Sequence, residues 1–322
     1  MNEGTAAQDK FKTFVSNTVS PEARNFQTTM AEIWDFDATR ADMPGIRNKI
    51  AEDFKPLVEL VKSTCIESIE NIEINGVPVL VTTPKGYNKE NDHKCIYYIH
   101  GGGYTVLDPV TMLVLSGPIA LVAGIKTYSI DYRLAPENPF PAAVDDCISV
   151  YRELVKRFKP ESLALLGDSA GGTLALVTIL KASQQDLPLP AVLALSSPAV
   201  DESEIDDSQY ILEGWDCGLS MDRCVTKMFE AYAGKQDPKN PDVSPIYAKY
   251  PSNFPPTFII SGTRDLLLSN CARLQRLLTR KEIEVRMEVW EGMWHDFVLM
   301  PFIPEAQEAY KEIGNYIKAR LK

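Results

Sequence analysis

The chain has 322 residues, of which 45% are hydrophobic and 24% charged, a composition that excludes a disordered or fibrous protein. Its 33 basic and 44 acidic residues give a net charge of −11, without the concentrated basic patch that binding to nucleic acid requires. The N-terminus lacks the basic and apolar regions of a secretory signal, and no apolar run reaches the about 18 residues of a membrane span, so we expect a cytoplasmic protein with neither nucleic acid nor a membrane as partner.

Residues 1–68 are predicted to be mostly helical, because their apolar residues have helical spacing. From Ile69 onward the pattern indicates strands as well. Residues Ile72–Val81 alternate around Asn75 and Gly76, a strong signal for a β-hairpin. Short apolar runs and helical patterns then alternate, which predicts an α/β protein with a mostly parallel sheet of about eight strands, helices on both faces and the hairpin at an antiparallel edge. The other predicted strands are Cys95–Ile99, Ile125–Ile130, Ser162–Leu166, Val192–Leu195, Thr257–Ile260 and Val285–Trp290. The predicted helices are Ala142–Phe158, Gly171–Gln184, Asn270–Arg280 and Pro304–Leu321.

One long interruption separates two of the predicted sheet strands. Residues 201–250 are acidic and then rich in Pro and Asn, with a helical pattern near Cys224–Tyr232. This segment is longer than an ordinary connection between a strand and a helix. We therefore expect an insertion that joins the N-terminal segment 1–68 in a helical cap, over a core built from residues 69–200 and 251–322.

The most informative stretch is an apolar strand that runs into Gly167-Asp-Ser169-Ala-Gly171 and then into a helix. A nucleophilic serine needs a sharp, strained turn that presents its hydroxyl at the end of the sheet, with glycines where side chains would collide. The same pattern also occurs as an ordinary glycine-rich turn between a strand and a helix. Because both flanking elements are predicted here, we interpret Ser169 as a nucleophile.

A serine nucleophile needs a base, and the chain has three histidines: His93, His100 and His295. In a strand–turn–helix site of this kind, the order along the chain is serine, acid, histidine. Only His295 follows Ser169, and it lies on a loop after the last predicted strand. A structural or surface role is the alternative for a lone histidine, but the scarcity of histidines favours His295 as the base.

The acid is expected between the serine and the histidine, just beyond a strand. Asp265 follows the predicted strand Thr257–Ile260 and meets this requirement, although it would also suit the N-terminus of the next helix. Asp296, Glu291 and the acids of the insertion are competitors. Asp296 adjoins the histidine, and adjacent side chains usually diverge, while the acids of the insertion follow no strand. We therefore predict Asp265 as the acid.

Three glycines directly follow a strand in His100-Gly101-Gly102-Gly103. Glycine lets a backbone approach a ligand closely, and neither sequence pattern of a phosphate-binding loop is present. We predict that the amides of Gly101 and Gly102, with that of Ala170, form an oxyanion hole. His100 precedes the serine and is expected to brace this loop rather than to act as a base.

Taken together, these motifs resemble the hormone-sensitive-lipase-like esterases, the bacterial family IV of the α/β-hydrolase superfamily with an HGGG motif. The resemblance runs from about Ile69 to the C-terminus and rests on His100–Gly103, Asp131–Glu137, Gly167–Gly172 and the late pair Asp265 and His295. Gly262–Ser269 departs from the commoner Asp-Pro-Leu-x-Asp pattern of the family and is most similar to the acetyl esterase or monoterpene ε-lactone hydrolase branch.

The resemblance implies an α/β-hydrolase fold with a helical cap, and a serine carboxylesterase that cleaves short- to medium-chain acyl esters through an acyl-enzyme. It further implies a small-molecule acyl ester or lactone as substrate, no cofactor or metal, a homodimer as a common assembly, and a structural role for the turn Asp131–Glu137. The six cysteines form no C-x-x-C pair, so we expect reduced thiols.

The substrate pocket is the part that the sequence predicts least. Tyr104, Trp34, Trp215 and Met221 are candidate wall residues, although the two tryptophans also suit the core of the cap. We expect the aromatic residues near the base to pack rather than to select substrates; these are Trp290, Trp294 and Phe297. A lactonase or an amidase with the same residues is an alternative, as is a non-catalytic receptor of small ligands on the same fold.

Overall fold

The protein is built around an eight-stranded sheet. The computed structural model describes residues 15–29, 36–203 and 206–322. In chain order the strands are β1 Ile66–Ile74, β2 Val77–Pro84, β3 Cys95–Ile99, β4 Thr127–Ile130, β5 Leu163–Asp168, β6 Val192–Ser196, β7 Thr257–Gly262 and β8 Val285–Trp290. Across the sheet the order is β1-β2-β4-β3-β5-β6-β7-β8. β2 pairs antiparallel with β1 and β4, and the strands from β4 to β8 are parallel.

The predicted hairpin is confirmed at the antiparallel edge, where Asn75 and Gly76 both have positive φ angles. β1 begins at Ile66, directly after a helix and before the boundary predicted at residue 68. β3, β5, β6 and β7 are buried along their whole length, as strands of a parallel sheet covered on both faces should be. The predicted α/β class is therefore confirmed.

Helices cover both faces of the sheet. In chain order they are α1 Pro21–Thr29, α2 Met43–Cys65, α3 Leu113–Ala123, α4 Ala142–Arg157, α5 Ser169–Gln184, α6 Asp207–Ile211, α7 Thr226–Ala233, α8 Leu268–Arg280 and α9 Pro304–Lys318. Alternate residues of one strand face different layers: Ile96 and Tyr98 of β3 pack with α2, α3 and α9, whereas Tyr97 and Ile99 pack with α4 and α5. No helix among the described residues is both long and apolar enough to cross a membrane.

α3 is a helix that the sequence pattern did not predict. It is apolar on all sides and buried, so it lacks the alternation of apolar and polar faces that marks a surface helix. The insertion after β6 contains α6, a short π-helical turn at Met221–Val225 and α7, close to the predicted helical pattern. The N-terminal segment contacts the core loops, since Arg47 donates to the carbonyl oxygen of Thr105 and pairs with Glu137.

Candidate active site

The turn between β5 and α5 holds Ser169 in a strained backbone conformation. Its φ is 49°, in the left-handed region that residues other than glycine rarely adopt. A Cβ on Gly167 would lie 2.6 Å from the carbonyl oxygen of Gly171, and a Cβ on Gly171 would collide with the carbonyl oxygen of Ile99. The two glycines therefore allow the close approach of strand and helix that presents Ser169 to a cavity at the end of the sheet.

Three side chains that are distant in the sequence form one continuous hydrogen-bonded chain. Nε2 of His295 lies 2.9 Å from Oγ of Ser169, and Nδ1 of His295 lies 3.0 Å from Oδ1 of Asp265. Ser169 follows β5, Asp265 follows β7 and His295 follows β8. Since parallel strands end at the same edge of the sheet, the topology brings the three sequence-predicted residues together.

Asp265 is fully buried and is held by more than the imidazole. Its Oδ2 accepts a hydrogen bond from the Ser261 hydroxyl at 2.7 Å, and its Oδ1 accepts from the Leu267 amide at 2.8 Å. Burial raises the pKa of Asp265, but the nearby imidazole and the hydroxyl donors outweigh that effect and hold the pKa below its usual value. Asp265 therefore stays ionised beside Nδ1 of His295.

Asp296 does not point away from its neighbour, which corrects the expectation that adjacent side chains diverge here. Its φ of 47° turns the chain so that Oδ2 lies 3.3 Å from Nε2 of His295, on the side of Ser169. Its Oδ1 accepts a hydrogen bond from the Ser196 hydroxyl at 2.7 Å. The competitor Glu291 is exposed on the preceding loop. The imidazole thus has Asp265 at Nδ1 and Asp296 at Nε2.

The buried carboxylates give His295 an unusual charge environment. Burial lowers the pKa of the imidazole, but Asp296 and Asp265 oppose that effect and raise the pKa above its ordinary value of about 6.5. Burial also raises the pKa of Asp168 to about 6 and that of Asp216 to about 7. Burial thus acts in the same direction on both carboxyls, whereas the pKa of Asp265 is lowered.

A pH profile should reveal the effect of Asp296 on the imidazole. With His295 as the predicted base, which must be neutral to act, the acid limb of kcat/KM in the unmodified protein should have its midpoint above the ordinary histidine value of about 6.5. Asp296→Asn removes a carboxylate that raises the pKa of His295, so the midpoint should move to lower pH. A midpoint that stays in place, or moves to higher pH, would contradict this assignment of charge.

Asp216 is a residue of the insertion that sequence reasoning missed. Its Oδ2 accepts hydrogen bonds from the amides of Leu266 and His295, both at 3.1 Å. Its Oδ1 accepts from the amides of Gly218 and Leu219, at 2.8 and 3.1 Å. One buried carboxylate therefore ties the insertion to the loop after β7 and to the loop after β8. Because Asp216 follows no strand, its position in the sequence carried no signal for this role.

The glycine loop after β3 is joined to the serine turn by Asp168. The Gly101 amide donates to Oδ2 of Asp168 at 3.0 Å, while Oδ1 accepts from the Tyr98 hydroxyl at 2.6 Å. The prediction that the Gly101 amide is free to bind an oxyanion is therefore wrong, since a neighbouring carboxylate already uses that donor. Gly102 and Gly103, with φ angles of 99° and 56°, line the cavity beside Ser169.

His100 braces this loop, as expected. Its ring stacks on Tyr132 with centroids 4.3 Å apart, and its Nδ1 donates to the carbonyl oxygen of Gly101 at 2.8 Å. The Tyr132 hydroxyl donates to the carbonyl oxygen of His100 at 2.8 Å. Burial lowers the pKa of His100 to about 4, so the ring is neutral at physiological pH. His100 and Tyr132 together thus fix the start of the glycine loop through ring stacking and hydrogen bonds.

Two cavity lobes meet at Ser169. The first has a volume of about 60 Å³, and its wall includes His295, Asp296 and a set of apolar side chains, among them Phe54, Leu107, Trp294, Leu299 and Met300. The second has a volume of about 40 Å³ and extends past Ala170 toward Tyr104, Glu202 and Gln209. Both lobes share Gly103, Ser169, Leu219 and Met228.

The predicted pocket residues have different positions in the structure. Tyr104 lines the second lobe, and Trp34 lies outside the described residues. Trp215 and Met221 line neither of these two lobes. The Trp215 ring faces the guanidinium of Arg264 at 5.6 Å, and Met221 begins the turn from which Val225 reaches the second lobe.

Trp294 has a role beyond the packing expected for it. It lines the first lobe, and its other face stacks on Phe26 of α1 with centroids 4.9 Å apart. By contrast, Trp290 and Phe297 pack on each other at 5.7 Å, as expected. Within the described part of the chain, no group of three or more His, Cys, Asp and Glu side chains is arranged to hold a metal ion.

Comparisons with known proteins agree with this fold. The family model of the α/β-hydrolase fold matches residues 96–299. An esterase of Acinetobacter venetianus is 30% identical over 223 residues, which cover 69% of this chain and 73% of that protein. An ethyl acetate hydrolase of Pseudomonas putida is 28% identical over 273 residues, which cover 80% and 83%. A solved esterase from the bacterial hormone-sensitive lipase family superposes with a TM-score of 0.80 at 29% identity, covering 94% of this chain and 99% of that structure.

Proposed function

Because the chain belongs to the α/β-hydrolase family and is a serine carboxylesterase of the hormone-sensitive-lipase-like kind, we propose that Ser169, His295 and Asp265 carry out its ester hydrolysis. The observation that supports this most is the unbroken chain of contacts from Ser169 Oγ through both ring nitrogens of His295 to Asp265. Nucleophile, base and orienting acid occupy the relative positions that acyl transfer requires.

In the acylation step, Nε2 of His295 takes the proton of the Ser169 hydroxyl as Oγ attacks the carbonyl carbon of the ester. Asp265 keeps the imidazole in the required tautomer and stabilises the imidazolium that forms. The imidazolium then gives its Nε2 proton to the alkoxide leaving group, and the alcohol departs. In the second step, His295 activates a water that attacks the acyl-enzyme and releases the carboxylic acid.

For the oxyanion hole we propose the amides of Gly102, Gly103 and Ala170. The two glycines line the cavity at Ser169, and the Ala170 amide lies in the first turn of α5, where helical N–H groups have no partner within the helix. The Gly101 amide has a different role in this proposal, because its bond to Asp168 holds the loop in register with the serine turn.

Gly103→Ala should therefore lower kcat by about 100-fold with a smaller effect on KM. The φ of 56° disfavours alanine, and its Cβ would collide with the Met228 side chain, so the amide should shift from its place. Gly86→Ala is a matched control, because Gly86 also has a positive φ but no atom lies within 4 Å of its added Cβ. Steady-state kinetics on one ester would contradict the proposal if both variants kept the parental kcat.

We propose short- to medium-chain acyl groups as the substrates, since both lobes at Ser169 are narrow. Among p-nitrophenyl esters, kcat/KM should be highest for acyl chains of roughly eight carbons or fewer. The same panel should include lactones and anilides, which distinguish an esterase from a lactonase or an amidase with the same residues. Higher kcat/KM on long than on short chains would refute this substrate range.

We also propose that residues 1–68 and 201–250 act together as a cap over the core. In support, Phe54 of the first segment and Leu219 and Met228 of the second line the cavity at Ser169. The homodimer that the family resemblance implies stays a prediction, and sedimentation of the purified chain would test it.

A further inference from the structure

The side chain of Asp216 receives hydrogen bonds from four backbone amides. Asp216 is buried, with an exposed fraction of 7%. Its Oδ2 accepts from Leu266 and His295, each at 3.1 Å, and its Oδ1 accepts from Gly218 and Leu219, at 2.8 and 3.1 Å. A backbone N–H group can only donate, so each of these amides needs an oxygen at this point. A buried amide that loses its acceptor destabilises the backbone around it.

One atom, Oδ2 of Asp216, bridges the loop after β7 and the loop after β8. One of its donors is the amide that directly follows Asp265, and the other is the amide of His295 itself. The two loops also bond to each other just before these residues, where the Arg264 amide donates to the carbonyl oxygen of Met293 at 2.9 Å. Asp216 thus extends this connection to the two residues whose side chains meet at Nδ1 of the imidazole, 3.0 Å apart.

The other oxygen of Asp216 holds a part of the insertion that lies directly against the loop of His295. A Cβ added to Gly218 would lie 3.1 Å from Cδ1 of Trp294 and 3.3 Å from the carbonyl oxygen of His295. Gly218 and Leu219 also line the first lobe of the cavity. Oδ1 therefore fixes the segment that contacts the base loop and the cavity, while Oδ2 fixes the two loops that carry the predicted acid and base.

Proton transfer at Ser169 depends on small distances that these loops determine. Nε2 of His295 must stay within hydrogen-bond reach of the serine Oγ, from which it lies 2.9 Å away, while Asp265 must keep its contact with Nδ1. A displacement of about 1 Å between reacting groups can cost about 100-fold in rate. Loss of the bridge through Asp216 should therefore lower the rate of the chemical step.

Resting on the proposed roles of Ser169, His295 and Asp265, we propose that Asp216 is a positioning residue for the reaction. It acts through the backbone of the predicted acid and base and needs no contact with the ester. The arrangement of these two residues thereby depends on the insertion. The insertion accordingly contributes to kcat and not only to the wall of the cavity.

Two substitutions of Asp216 should give graded losses. Asp216→Asn keeps the shape of the side chain but presents an NH2 group to two of the four amides, whereas Asp216→Ala removes both acceptors. We expect kcat to fall about tenfold in the first and about 100-fold in the second, with KM changed by about threefold or less. Here kcat is counted per serine that a fluorophosphonate labels at completion, so unfolded molecules do not contribute. An unchanged kcat with a raised KM would overturn the proposal, because Asp216 would then shape only the cavity wall.

Asp146→Asn is the control for the loss of a buried aspartate as such. Asp146 has an exposed fraction of 5% and accepts from the amide and the guanidinium of Arg133, which lies after β4 rather than on the loops after β7 and β8. This variant should unfold at a lower urea midpoint than the parent, as Asp216→Asn should, but it should keep the parental kcat per labelled serine. An equal loss of kcat in both variants would overturn the proposal.

A double variant distinguishes positioning from a general loss of order. The contact through which Asp216 is proposed to act is already lost in Asp265→Asn, so adding Asp216→Ala to that variant should lower kcat by less than about threefold. A further loss of about 100-fold in the Asp265→Asn background would overturn the proposal. Absence of labelling at Ser169 in the parent would instead contradict the proposed function.

Discussion

Ser169→Ala is expected to lower kcat for ester hydrolysis by about 10⁴- to 10⁶-fold. In the proposed mechanism Oγ of Ser169 forms the bond to the acyl carbon, and it is the hydroxyl that lies 2.9 Å from Nε2 of His295. The same variant should unfold in urea at the parental midpoint, because one hydroxyl at a cavity wall contributes little to stability. Ser183→Ala, in the last turn of α5, is the control and should retain full activity.

Covalent labelling tests the same prediction independently. A fluorophosphonate probe should modify Ser169 in the parent and leave the alanine variant unlabelled. Labelling of a different residue, or substantial hydrolysis by purified Ser169→Ala, would show that another group is the nucleophile. Absence of labelling in the parent would favour the alternative of a receptor on the same fold.

The second large effect is expected for Asp265→Asn, which should lower kcat by about 10⁴-fold. The carboxylate accepts from Nδ1 of His295, from the Ser261 hydroxyl and from the Leu267 amide, and an asparagine presents a donor where one of these acceptors was. The imidazole would then be held in the wrong tautomer, with its proton on Nε2 and no lone pair for the Ser169 proton.

Asp296→Asn is the matched comparison, because both aspartates contact the same imidazole. Asp296 lies at Nε2 and lines the cavity, so it does not set the tautomer through Nδ1. Its substitution should cost about tenfold or less in kcat and act mainly on the pH profile. A loss in Asp296→Asn as large as that in Asp265→Asn would show that the acid is wrongly assigned.

The two aspartates also show where sequence reasoning reaches its limit. Asp265 could be predicted because its position at the end of a strand is a short-range pattern. The direction of Asp296 could not, because it depends on one positive φ beside the histidine, and an aspartate adopts that conformation only where its surroundings hold it. Two serines at the end of β6 provide that support. The Ser196 hydroxyl donates to the carboxylate of Asp296, and the Ser197 hydroxyl accepts from the Asp296 amide.

The oxyanion loop shows a similar limit at the level of single amides. Three consecutive glycines after a strand predicted a loop close to the serine, and two of them, Gly102 and Gly103, line the cavity at Ser169. The Gly101 amide is not free, because it donates to the carboxylate of Asp168, which ends the neighbouring strand β5. A hydrogen bond between residues so far apart in the sequence leaves no periodic pattern.

The sequence by itself determined the α/β class, and it predicted the serine turn and the histidine that contacts the serine, because these depend on strand, turn and helix patterns that short segments contain. Only the tertiary structure decided the walls of the cavity, since Phe54, Leu219 and Trp294 meet there from three separate parts of the chain. It also decided that Asp216 joins the insertion to the loops that carry Asp265 and His295. Such contacts arise from the packing of one element on another, and local spacing does not encode that packing.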